Sequence, residues 1–164
     1  MKNPNLRLVA LAKMYIGVHE IGENGGPEVE LFQRAVDGKA SGEPWCCAFV
    51  QFLLKRAEEE FHLKSDLFRS ESVWETWQKS PVTMRIQAPE PGDLMAWNIP
   101  GTERGHIGVY RRKLLGNLCE TVEGNTNEAG SREGDGVYSK VRTMAGSKAF
   151  MVLGWLRPFH VMVS

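Results

Sequence analysis

The sequence carries no excess of charge. Lysine plus arginine and aspartate plus glutamate each number 20, so the formal net charge is zero. Without a basic balance there is no electrostatic case for nucleic acid or for an anionic membrane surface. Cysteine is scarce: Cys46, Cys47 and Cys119 are the whole complement. An odd count with two neighbours makes a poor disulfide framework. The adjacent pair lacks the ligand spacing of a structural zinc site, and no His-x-x-x-His occurs, so neither metal nor cofactor is expected. No apolar run approaches the ~18–20 residues that span a bilayer. At the N-terminus only residues 8–12 run apolar before Lys13 interrupts. That is short of the ~7–15 residues of a signal-peptide core, and no small-residue cleavage site follows. The expectation is a protein made in the cytoplasm without a signal peptide. Repeats and low-complexity tracts are also missing, which excludes collagen-like, coiled-coil and disordered chains.

What is present is an ordinary globular balance of 42% hydrophobic and 24% charged residues. A chain of 164 residues can bury roughly 70% of its unfolded surface, so it needs no staple to fold. A single domain over residues 1–164 is expected. The first half reads as helical. Leu8, Leu11, Ala12 and Tyr15 form an i, i+3, i+4, i+7 stripe, which predicts a helix over 4–17. Pro27 opens a second helix that Gly38 closes, and Pro44 precedes a third over 45–60. Residues 71–79 suggest a short fourth. After Pro81 the period changes, and 94–97, 107–113, 118–123, 137–143 and 150–156 read as strands. Residues 124–136, rich in Gly, Asn, Ser, Glu and Asp, read as a long surface loop. Helices first and strands later predict an α+β fold, with N-terminal helices packed on a C-terminal antiparallel β-sheet.

The run Glu43-Pro44-Trp45-Cys46-Cys47-Ala48-Phe49-Val50 places a cysteine in the first turn of a helix. Free N–H groups and the positive end of the helix dipole lie there. Both favour thiolate, the nucleophilic form, and the same N–H groups suit a developing oxyanion. Cys46 shares a helical stripe with Phe49, Val50, Leu53 and Ala57, the stripe that would pack on a sheet, so Cys46 is favoured over Cys47. Both also suit a core as small apolar residues. A histidine stands between glycines in Gly105-His106-Ile107-Gly108-Val109. If this strand forms a hairpin with 118–123 through an even-length turn near residues 114–117, His106 faces an odd-numbered residue. Period two then puts His106, Glu123 and Asn125 on one sheet face, as a base and its orienting groups require. An odd-length turn would flip the partners. His19, His62 and His160 have weaker cases, as solvated ends of elements.

Together these segments resemble the CHAP-domain family. Pro44-Trp45-Cys46-Cys47-Ala48-Phe49-Val50 is similar to its Pro-Trp-Cys-x-x-Phe-Val signature. Pro91-Gly92-Asp93-Leu94 is similar to the turn into its first central strand, Gly105-His106-Ile107-Gly108-Val109 to its histidine strand, and Glu123-Gly124-Asn125 to its Glu-x-Asn element. Gly154-Trp155-Leu156-Arg157-Pro158 resembles its last strand. The resemblance implies a papain-like fold and peptidoglycan hydrolysis, as an N-acetylmuramoyl-L-alanine amidase or a peptide endopeptidase. It makes Cys46 the nucleophile, His106 the base, Glu123 the group that orients the imidazole and Asn125 an auxiliary polar member. Peptidoglycan is then the partner of a monomer without a separate wall-binding domain. The protein would act on the wall after holin-assisted release or dedicated secretion, the latter with an immunity protein. Some relatives carry a calcium loop before the cysteine, but residues 37–43 have too few carboxylates for the about six to eight oxygens calcium takes. The alternatives are a papain-like peptidase or acyltransferase acting on a protein, and a non-catalytic wall-binding or phage structural domain.

Overall fold

The computed structural model describes residues 3–130 and 134–160. Four helices precede a six-stranded sheet, an α+β arrangement. Helix α1, Pro4–Met14, is capped by the Asn3 side chain, which accepts from the Asn5 and Leu6 amides. It stops short of residue 17 because the chain turns away to pair with the sheet: Gly17, at φ 93°, donates to Val137 O. Helix α2, Pro27–Asp37, ends at Gly38 in the left-handed region, at φ 90°. There glycine has no Cβ to clash. Helix α3, Cys46–Phe61, is buried on every side from Cys46 to Leu54. Helix α4, Val73–Lys79, is capped by Ser72, whose hydroxyl accepts from the Glu75 amide.

A 3-10 turn, Val82–Met84, leads into strand β1, Arg85–Ile86. Two residues carry no readable period, so the sequence pattern missed this strand. The others are β2 Leu94–Asn98, β3 Gly105–Lys113, β4 Leu118–Thr126, β5 Gly136–Thr143 and β6 Met151–Leu156. All pairings are antiparallel, in the order β1-β6-β2-β3-β4-β5. The sheet is covered on both faces. Leu94, Ala96, Ile107, Val109 and Val122 pack into the helices. Their alternates Met95, Trp97, Tyr110 and Cys119 form a smaller outer cluster with Trp155. That cluster packs against Met144 and Phe150 of the β5–β6 connection.

Strand β4 runs further than the sequence suggests. Gly124, Asn125 and Thr126 belong to it, and Asn125 and Thr126 are buried. The expected surface loop therefore begins only at residue 127, and its residues 131–133 lie outside the described residues.

Candidate active site

The sequence brings a thiol to the sheet through one close approach. Cys46 is the first residue of α3 and Trp45 its N-cap, with no side chain capping the end. Trp45 and Phe49 press on the backbone of Gly124 in β4. A Cβ there would lie 2.8 Å from Phe49 Cβ and 2.8 Å from Trp45 Cζ3. Only glycine allows this contact, which seats the start of α3 over the ends of β3 and β4. Cys46 lines a cleft of about 400 Å³ with Pro44, Val73 and Gly105.

His106 follows Gly105 in β3 and is 2% exposed. Its Nε2 lies 2.8 Å from Glu123 Oε2, and Glu123 is fully buried. The carboxylate reaches the ring by lying across Gly108, where a Cβ would stand 2.6 Å from Glu123 Cγ. Arg142 of β5 donates to both carboxylate oxygens, Nε to Oε1 at 2.8 Å and Nη2 to Oε2. Thr121 Oγ donates to Oε1 at 2.5 Å. Trp97 stacks beside the imidazole, its centroid 5.8 Å away and tilted 34°, and Arg142 lies over the same indole.

The register that produces this pair differs from the expected hairpin. The tip pairs Lys113 with Cys119, and the Leu114 amide donates to Leu118 O, leaving the odd three-residue loop 115–117, with Gly116 in the left-handed region at φ 64°. On its own that turn would flip the partners. A bulge at Arg111 takes up one residue, and Tyr110 then faces Thr121 while Val109 faces Val122. Continued toward the strand ends, this register sets Gly108 opposite Glu123 and His106 opposite Asn125. The grouping of His106 with Glu123 is as expected, but the bulge is its cause, not an even-length turn.

The electrostatics follow from burial and pairing. For Glu123, desolvation works against the charge, but Arg142 and His106 outweigh it and hold the carboxyl down near 2. Burial likewise opposes charge on His106. Hydrogen bonding to the Cys46 thiol and to Glu123, with the negative charge of both, raises the imidazole to about 9. With Nε2 taken by Glu123, Nδ1 is the nitrogen available to Cys46. It makes no hydrogen bond of strict geometry, although the thiol is close enough to shift the ring. Thiol–imidazole contacts of this kind commonly tighten further when a substrate binds.

The other two thiols sit differently. Burial and the charge of Cys46 push Cys47 far up, and its sulfur meets Thr76 Oγ at 3.5 Å. Cys119 is pushed up to about 11 by burial and Glu123, with Met95 Sδ 3.8 Å away. The stripe argument for Cys46 loses its basis, since α3 is buried all round from Cys46 to Leu54. What separates the two cysteines is the cleft, which Cys46 lines, and the wall of α4, which Cys47 meets.

Asn125 stands apart from the other three. It adopts φ 53° at an irregularity between β4 and β5. Its Nδ2 is buried without a partner. The residue lines a second cleft, of about 760 Å³, with Pro44, Glu43, Asn24 and Gly134. The glycine loop near residues 22–26 and the loop after β4 thus both supply walls. Among the other histidines, His19 bridges to Gly136 and faces Asp135, while His62 is the C-cap of α3. Arg142 and Thr121 escaped the sequence reading. Thr121 was within reach of it, two residues before Glu123 on the same face, whereas Arg142 depends on the β4–β5 register that pairs it with Cys119. No family model matches the sequence, and no curated protein matches it.

Proposed function

We propose that the protein is a cysteine-dependent peptidoglycan hydrolase that cleaves an amide of the stem peptide or cross-bridge. One observation carries the chemical half of this reading. A thiol at the first residue of a helix contacts a buried imidazole whose far nitrogen is held by a carboxylate at 2.8 Å. That is the nucleophile, base and orienting group of acyl transfer. The substrate half rests on the ordered motifs that resemble CHAP domains.

In this reading the Cys46 proton moves to His106 Nδ1, and the thiolate attacks the amide carbonyl. The C–N bond breaks as His106 returns the proton to the leaving amine. Water, deprotonated by His106, then attacks the thioester and frees the acid and the thiol. Glu123 stays ionised throughout and stabilises the imidazolium. The positive end of the α3 dipole, where the thiol stands, would stabilise the oxyanion.

The test is clearance of purified cell walls with end-group analysis. Wild type should release new amine and carboxyl ends, and Cys46→Ala should release none while keeping its fold. Clearance that survives Cys46→Ala, or that is abolished by EDTA, would overturn the reading.

A further inference from the structure

The two clefts beside Cys46 are contiguous, because Glu43 and Pro44 line both. Their charge does not match the neutral chain. Among the described residues, Glu20, Glu23, Glu43, Glu71, Glu103 and Asp135 line them, against Arg104 as the one lining Lys or Arg. Among the described residues none of the five glutamates is in an ion pair. Two of them are held in place by neutral donors: Trp45 Nε1 donates to Glu20 at 2.9 Å, and Ser41 Oγ donates to Glu71. The carboxylates do not gather round a point either, since no three ligating groups among the described residues could hold a metal ion. They are spread along the trough. A second observation points to a ligand there: Asn125 is 1% exposed, lines the same trough, and keeps an unpartnered Nδ2 donor. An amide N–H buried without an acceptor is costly unless something supplies one.

We infer that the trough selects a peptide segment bearing free ammonium groups, with Asn125 donating to a carbonyl of that segment. A trough lined by one sign of charge focuses its field and raises the local concentration of the opposite charge, by about tenfold to a thousandfold in on-rate. Extended ammonium-bearing peptide fits spread carboxylates better than a compact ion does. This inference rests on the hydrolase reading and narrows it, to stem peptides whose diamino acid or N-terminus is unblocked.

The experiment has two arms. In the first, a stem peptide with free amines and its N-acetylated twin are offered to the enzyme. The twin should be cut about tenfold more slowly or worse. A twin cut as fast overturns the inference. The second arm needs no hydrolysis. Cys46 is converted to a mixed disulfide by a cationic and by a neutral methanethiosulfonate of similar size, methanesulfinate leaving in each case, with Cys46→Ala as the blank. The cationic reagent should react about tenfold faster at low salt, and its advantage should shrink in 0.5 M salt and in the triple variant Glu43→Gln, Glu71→Gln, Glu103→Gln. Equal rates in wild type overturn the inference. If neither peptide is cut, the hydrolase reading fails by itself, and the reagent pair alone decides whether the trough prefers cations.

Discussion

Three thiols lie within one small protein, and their surroundings assign them different chemistry. Cys46→Ala should abolish wall hydrolysis, whereas Cys47→Ala should keep activity within about threefold and lose roughly 1 kcal/mol, as a small buried truncation does. Turbidity clearance and thermal melts separate the two. If Cys47→Ala is the inactive variant, the assignment of the nucleophile is wrong. The ionised pair also sets the pH response. Glu123 is depressed from 4.5 to about 2, so its stabilisation is whole above about pH 4.5 and is lost as pH falls through 2. His106 is raised from 6.5 to about 9, so its contribution is whole below about pH 6.5 and is lost as pH rises through 9. Stability should therefore plateau between about pH 4.5 and 6.5. Hydrolysis should fall on an alkaline limb near pH 9, where the imidazole can no longer protonate the leaving amine. A rate that stays constant through pH 10 would contradict the role of His106. Arg142→Gln strands the buried Glu123 charge and should cost about 3 kcal/mol, with the alkaline limb displaced.

Elements, more than single residues, decide whether these groups meet. Gly124 is the contact between α3 and β4. In Gly124→Ala the added methyl would meet Phe49 and Trp45 at 2.8 Å, lifting the thiol from the imidazole. We expect a loss of about 1–3 kcal/mol from overpacking and at least a tenfold drop in rate, measured by melts and wall clearance. Unchanged activity would show that α3 tolerates displacement. The helices, five of six strands and the residues Cys46, His106 and Glu123 were legible in the sequence, because 3.6-residue and two-residue periods and Pro or Gly boundaries are local signals. The bulge at Arg111 was not. It depends on how a three-residue tip closes and how the twist is relieved, and nothing in Tyr110-Arg111-Arg112 marks it. Arg142 was hidden for a similar reason. Its partner is set by pairing across β4 and β5, which residue spacing along one strand does not encode.

At the scale of the molecule, distant segments are fastened by buried polar clasps. Asn5 in α1 exchanges two hydrogen bonds with the Phe159 backbone, Nδ2 donating to the carbonyl at 2.8 Å and Oδ1 accepting from the amide at 3.1 Å. Arg157 grips the fully buried Asp93 through Nε at 3.0 Å and Nη2 at 2.9 Å. Asn5→Ala leaves two buried backbone groups without partners. It should cost roughly 2–3 kcal/mol, or about 4–12 °C in Tm, while the pH–rate profile keeps its shape. A shifted profile would mean that the clasp also tunes the imidazole. The sheet order has a further effect. β6 is last in the chain but lies inside the sheet, between β1 and β2, where Val152 pairs with Trp97, the indole that stacks on His106. A ribosome delivers the thiol, then the imidazole, then the carboxylate, and only afterwards the strand that braces them. Until β6 is made, the chain carries Cys46, His106 and Glu123 without the strand that pairs with the Trp97 segment.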